Sequence, residues 1–338
     1  MLLALAIMPF FMSCNNDEWT PSTVKEEPKT IKVSVGLDGE FISTSFTPFT
    51  RAETDKKKVY GINVYYRESS NRDYKHYAYG LFDNVQDMQI SLPASYTYKF
   101  ECSIVQDDLD EIYEDHGNLN RPFLSFSSNG YIGDTSLQNK FIVSTSSPIY
   151  FDNLKSGTTK VKKANGTLQL AGIPATDRLY GELEGYTPEV GGHALITMKR
   201  TAFGAKFILN PPTDGTLVVS TSFANMNITA NEDPKTVESL YTFPEVYNCW
   251  KIERYTQTYD IKLTWKRKTG EIQEYSQKVT MRRNIMTTIN VYFNNNNVKP
   301  ENDTTIGISE DSMPTAGETI NIILNDETPT DDNPSPEE

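Results

Sequence analysis

Histidine, cysteine and tryptophan are scarce in this chain, three of each in 338 residues. His76, His116 and His193 have no partner at metal-ligand spacing, and no His–Cys or Cys–Cys pair is close enough for a zinc site. His76 and His193 fall in strand-like runs, where a solvent-facing or hydrogen-bonded histidine is the ordinary reading. There is no Gly-x-Ser-x-Gly elbow, no phosphate loop and no dinucleotide fingerprint. With these motifs missing, the chain reads as a non-enzyme with neither cofactor nor resident metal. No apolar run after residue 12 reaches the roughly 18 residues of a membrane-spanning helix. Basic residues are missing from the whole of 301–338, which carries eleven carboxylates. Without that tail the net charge of −13 falls to near −2, so the acidity describes the tail and not a binding face. Nucleic acid and anionic membrane surfaces need a cationic partner and suit this chain poorly.

The N-terminus is where the chain is rich. Met1–Met12 is almost unbroken apolar sequence, followed by Ser13, Cys14 and the abruptly polar Asn15-Asn16-Asp17-Glu18. An apolar core of that length is too short to span a bilayer and matches the h-region of an export signal. The small residue followed by cysteine resembles the lipobox of bacterial lipoproteins, although the basic n-region is missing and Phe11 stands where leucine is commonest. The resemblance implies a signal peptide over 1–14, with Cys14 acylated and holding the protein to a membrane. Cys102 and Cys249 then remain, in segments read as different domains, and are expected to be buried thiols and not a disulfide.

Nineteen tyrosines and sixteen phenylalanines, with abundant Thr and Ser, favour strands. After a polar tether at 15–29, Ile31, Val33, Val35 and Leu37 alternate on one face of a strand. Further strand-like runs occupy 58–66, 74–82 and 95–105, then 167–171, 193–200, 204–209, 215–221, 256–265, 273–281 and 285–293. Trp265–Ile272, centred on Lys268-Thr269-Gly270, reads as a hairpin. No amphipathic helix of ordinary length is evident. These features predict an all-β chain of two β-sandwich domains in tandem, over 30–186 and 187–296, with the Gly-rich Glu184–Gly192 as connector. An acidic tail follows over 297–338, with an isolated strand at 319–325. The excursion at 107–148 breaks the pattern. Its acidic run, Asp107 to Asp115, is either a solvated face or a calcium seat. Phe123, Phe126 and Tyr131 either fill a core or stack on sugar rings.

Phe46-Thr-Pro-Phe-Thr-Arg-Ala-Glu53 followed by Val59-Tyr-Gly-Ile-Asn-Val-Tyr-Tyr66 resembles the start of fimbrillin-like lipoproteins of Bacteroidales-type bacteria. Leu92–Tyr98, Ala175–Glu182 and Arg283–Tyr292 extend the resemblance over most of 31–293. It implies transthyretin-like β-sandwich domains and a structural subunit of surface fimbriae that supports adhesion, located at the outer membrane through its lipid anchor. It also implies cleavage by an arginine-specific protease between Arg51 and Ala52, which would remove the 31–37 strand. A strand from another fimbrial subunit would then fill the groove, gaining main-chain hydrogen bonds and side-chain pockets. Ile320, Ile322 and Leu324 are the matching donor anchors. The implied partners are other fimbrial subunits and a ligand on host or bacterial surfaces. The plainer readings stay open: Arg51 as an ordinary loop arginine, and 319–325 as a strand that folds back on its own domain. A different class of function, a surface glycan-binding lipoprotein, would use the 107–148 excursion.

Overall fold

A computed structural model of the chain describes residues 29–40, 58–106, 125–127, 130–132, 138–145, 160–164, 167–294, 307–308 and 317–325. The first strands are β1 (Thr30–Gly39), β2 (Lys58–Arg67), β3 (Lys75–Phe82), β4 (Gln89–Pro93) and β5 (Thr97–Gln106). Shorter ones follow: β6 (Ser125–Ser127), β7 (Gly130–Ile132), β8 (Ile142–Val143), β9 (Lys160–Ala164) and β10 (Thr167–Gly172). Next come β11 (Asp177–Tyr186), β12 (His193–Arg200), β13 (Ala202–Leu209), β14 (Thr216–Ser220), β15 (Asn225–Thr229) and β16 (Lys235–Thr242). A six-residue helix, α1 (Val246–Lys251), precedes β17 (Thr256–Lys266), β18 (Ile272–Arg282) and β19 (Met286–Asn294). Two strands close the chain, β20 (Gly307–Ile308) and β21 (Gly317–Asn325). The fold is all-β, as the aromatic and β-branched bias demands.

Two hydrophobic cores organise these strands. The first lies within a sheet of order β4-β1-β12-β11-β5-β2-β3-β8. Only Leu179↔Arg200 and Tyr180↔Lys199 join β11 to β12, so the sheet folds over at that corner. Val33, Val35 and Ile196 on one limb share a cluster with Ile62, Phe100 and Ile104 on the other. The second core lies between a five-stranded sheet, β16-β13-β19-β21-β20, and a four-stranded one, β15-β14-β17-β18. Phe203 stands at its centre, with its ring centroid 4.8 Å from that of Phe243, 5.2 Å from Phe223 and 5.3 Å from Tyr259. Trp265 is buried there, and its indole N–H donates to the Asp214 carbonyl at 2.7 Å.

The expected hairpin forms between β17 and β18, in register from Thr256↔Arg282 to Lys266↔Ile272. Its turn needs Gly270, whose φ is 92°. The expected start of a second sandwich at 187 does not match the sheet pairing. Residues 193–200 run parallel to β1, from Ser34↔His193 to Gly39↔Met198, and Ala194, Ile196 and Met198 pack in the first core. Ile173 meanwhile packs in the second core, so the chain crosses between cores before and after β11 and β12. Alternation marks 193–200 as a strand but is silent on which distant strand it pairs with.

The C-terminal strand β21 lies along β19 in parallel, pairing Ile289↔Ile320, Val291↔Ile322 and Phe293↔Leu324. Ile289 and Val291 are fully buried.

Candidate functional site

The first strand occupies an interior slot. Its anchors Val33, Val35 and Leu37 are buried, as alternation requires when one face meets a core. β4 holds it antiparallel over Thr30–Ser34, and β12 holds it parallel over Ser34–Gly39. Each half therefore pairs on a different edge, the two ladders overlapping at Ser34. Burying each anchor is worth about 1.5–3 kcal/mol, so vacating the slot without a replacement is costly. Gly39 closes the strand with φ 92°, and a Cβ there would lie 2.5 Å from the Met198 carbonyl oxygen. Only glycine fits that approach without a shift.

Glu40 follows at once and ties the strand to the second core. Its Oε2 accepts the Arg200 backbone N–H at 2.7 Å, and both its oxygens accept Arg283 Nη1 at 2.8 Å, across 243 residues of sequence. Arg283 Nη1 also donates to the Arg200 carbonyl at 3.2 Å, and its other nitrogens reach the Glu253 carbonyl at 3.3 Å. The Arg200 guanidinium donates to Asp177 at 2.9 Å through Nε and Nη2, and to Asn284 Oδ1 at 3.1 Å. Asn284 turns the chain from β18 into β19 with φ 59°, a conformation asparagine tolerates. The Lys199 ammonium, 2.6 Å from Glu253, donates a hydrogen bond that holds this carboxyl below its usual range, with Arg283 adding to the effect. Asp177, Arg283 and Asn284 lie in segments that carry the family resemblance, but the sequence gives none of these positions this role, because Asp38-Gly39-Glu40 and Arg282-Arg283-Asn284 look like ordinary strand ends. No local spacing signals a contact between them.

A second polar cluster lies on the far face of β5 and β11. Lys99 sits 3.1 Å from Glu101 and 3.2 Å from both Glu182 and Glu184. Burial alone would lower the Lys99 pKa, but Glu101 and Glu182 outweigh it and raise the pKa above the ordinary value. Tyr65 donates to Glu101 at 3.0 Å, and Tyr180 to Glu182 at 2.6 Å. Glu101 and Glu182 thus each accept from a tyrosine as well as pairing with Lys99. Beside them Arg178 is fully buried, donates to Ser103 Oγ at 3.0 Å, and is pulled down to a pKa of about 9 by burial. His76 Nδ1 donates to the Ser144 carbonyl at 2.8 Å, and burial lowers its pKa, which keeps the ring neutral near pH 7. His193 is exposed at the start of β12. Among the described residues no group of three or more His, Cys, Asp or Glu could hold a metal ion.

Cys102 and Cys249 are free and buried, each in a different core, as the sequence implied. Burial pushes both thiols well above the ordinary thiol pKa. In a Cys14→Ser chain, a thiol-reactive disulfide reagent should modify neither until denaturant is added. Rapid labelling of the native chain would contradict this.

Of the residues singled out from sequence, Cys14, Arg51 and Ala52 lie outside the described residues, as do Asp107–Asp115, His116 and Phe123. Ile320, Ile322 and Leu324 are in β21, along β19. The structure thus brings the first strand to Arg200 and Arg283, and the C-terminal strand to the second sheet.

No family model matches the chain, and no curated protein matches it significantly. Among solved structures it is similar to a candidate adhesin of Bacteroides ovatus, with 11% identity, a TM-score of 0.33, and coverage of 80% of this chain and 88% of that one. It is also similar to the fimbrial anchor protein Mfa2 of Porphyromonas gingivalis, with 13% identity, a TM-score of 0.28, and coverage of 74% and 82%. A third likeness is to the tip fimbrial protein Mfa3 of the same organism, with 8% identity, a TM-score of 0.26, and coverage of 73% and 81%.

Proposed function

We propose that the chain is a structural subunit of surface fimbriae, exported as a lipoprotein, tethered at the outer membrane through Cys14 and assembled by strand exchange to support adhesion. The observation that supports this most is the position of β1. It is an interior strand with three buried anchors, and the chain leaves it directly into the 41–57 segment that contains Arg51. A cut between Arg51 and Ala52 leaves the strand joined to the rest of the fold only by its hydrogen bonds, its anchors and the Glu40–Arg283 pair, with Cys14 on the strand's side of the cut. The slot between β4 and β12 then takes a strand of matching alternation, which Ile320, Ile322 and Leu324 of another subunit supply. Strand addition of this kind uses main-chain hydrogen bonds for affinity and alternate pockets for specificity. A slot kept filled until assembly also hides an edge that would otherwise aggregate.

Treating the folded full chain with an arginine-specific protease should give one early cut after Arg51, followed by detergent-resistant ladders. Deleting 319–325 should abolish the ladders and leave the cut unchanged. A folded chain that resists the protease at Arg51 removes the processing step. Ladders that persist in the deletion remove the donor role of the C-terminal strand.

A further inference from the structure

The end of β1 has a counterpart in the C-terminal sequence. From its first fully buried anchor β1 reads Val33-Ser34-Val35-Gly36-Leu37-Asp38-Gly39-Glu40, and the segment 320–327 reads Ile320-Asn321-Ile322-Ile323-Leu324-Asn325-Asp326-Glu327. In both, three apolar anchors alternate, an Asp or Asn follows the third, and a glutamate stands three residues beyond it. We propose that Arg283 and the Arg200 backbone form a carboxylate socket at the end of the β1 slot, which reads Glu327 of a second copy of this chain in place of Glu40. This rests on the strand-exchange reading above and adds the residue that sets the donor's direction and register.

The socket is built to hold a carboxylate. Arg283 is 6% exposed, and with Glu40 gone its carboxylate neighbour among the described residues is Glu253, 3.5 Å away and itself 71% exposed. Arg200 stays neutralised by Asp177 at 2.9 Å. A donor without a carboxylate at this point leaves the Arg283 charge poorly matched, whereas one with Glu327 restores the charge-assisted pair. A donor running opposite to β1 puts Glu327 at the wrong end of the slot. A two-residue slip keeps the anchors inward but carries Glu327 about 7 Å away.

Two further positions fit the same register. Gly36 pairs with Leu195, a leucine left 50% exposed, and a Cβ at Gly36 would touch only the flexible Leu195 Cδ1, at 3.2 Å. The donor puts Ile323 there and covers Leu195, a contact β1 lacks. Opposite Gly39 the donor has Asp326, whose Cβ would press on the Met198 carbonyl. The donor must lift slightly at that residue, and a glycine there should relieve it.

The test uses the full chain with a site-specific protease sequence replacing Thr50-Arg51-Ala52, cut while folded. Fluorescent peptides spanning 317–328 are titrated against it by anisotropy until the signal is constant. The natural peptide should bind, Glu327→Gln should weaken it about tenfold, the size of one charge-assisted hydrogen bond, and Asp326→Gly should bind at least as tightly as the natural peptide. An Arg283→Gln chain should bind the natural and Glu327→Gln peptides alike, and the peptide comparison stands without it if that chain does not fold. Equal affinity of those two peptides for the unsubstituted chain overturns the socket and leaves strand exchange standing. Weaker binding of the Asp326→Gly peptide overturns the register. Binding by none of the peptides overturns both the socket and the exchange.

Discussion

Raising the pH above about 10 is expected to unfold the chain, because its native interior holds tyrosine protons that the unfolded chain releases. Burial pushes Tyr60 up to about 12, with Cys102 adding a little. Burial drives Tyr98, Tyr180 and Tyr259 further in the same direction, helped at Tyr180 by Glu101 and Glu182. All four are at most 7% exposed. A tyrosine whose folded pKa lies above its unfolded one contributes stability that is whole below about pH 10 and lost as the pH rises through the folded value. At pH 11 each such tyrosine costs about 1.4 kcal/mol, so the four together cost about 6 kcal/mol, comparable with the total stability of many domains. The buried Cys102 and Cys249 act in the same sense from a lower pH, since their unfolded thiols ionise near 8.5. Arg178 opposes them. Its folded pKa of about 9 lies below the unfolded value, so its burial penalty shrinks as the pH passes 9. One arginine gaining about 1.4 kcal/mol per pH unit does not offset four tyrosines and two thiols. Far-ultraviolet circular dichroism and tyrosinate absorbance, followed together, should show the buried fraction of the tyrosinate signal appearing only as the strand signal is lost. Full tyrosinate absorbance from all nineteen tyrosines reached while the strand signal persists would refute the account.

How much of this was readable in advance differs from strand to strand. β1 and β17 announce themselves because one face is buried and the other more open, so polarity alternates with the pleat. β11 was missed as a strand for the opposite reason. In Asp177-Arg178-Leu179-Tyr180-Gly181-Glu182 the charged positions are as buried as the apolar ones, with Arg178 at 0% and Tyr180 at 1% exposed, because Ser103, Lys99 and Glu101 on β5 meet them. A strand buried on both faces by ion pairs has no period for the eye to find. β4 and β15, five residues each, carry only two apolar anchors apiece, Ile90 and Leu92 or Met226 and Ile228, too few to set a period, whereas the equally short β14 has Leu217, Val218 and Val219 in a row. The slot itself was half legible: the anchors of β1 could be named, but its neighbours β4 and β12 could not. Long-range pairing depends on which edges survive once every strand is packed. The contact between Glu40 and Arg283 left no trace at all, since nothing local distinguishes a strand-end glutamate that faces water from one that faces an arginine far along the chain.

Val35→Asp is expected to expel β1 while leaving the second core folded. Val35 is 3% exposed, its N–H donates to the Met88 carbonyl at 2.8 Å, and it stands in register with Ala194. A carboxylate at this point faces the apolar row of the first core with no described cation beside it, at a cost of about 3–5 kcal/mol if it stays charged. Leaving the sheet relieves that cost. The second core shares no residue with the first cluster, so it has no direct reason to follow. Amide hydrogen exchange should therefore show lost protection in β1, β4 and β12, with β13, β17 and β19 still protected. Val35→Thr has the same shape with only a hydroxyl to bury, and should cost less, about 1–3 kcal/mol, and keep β1 in place. Loss of protection spread evenly over both cores would contradict the separation. If strand exchange operates, Val35→Asp should also form ladders without any protease, because the cut matters only as a means of emptying the slot. A variant that opens the slot and stays monomeric would mean that an empty slot is not enough. Glu40 would then be the place to look, since an expelled strand that keeps its carboxylate on Arg283 still blocks the end of the slot.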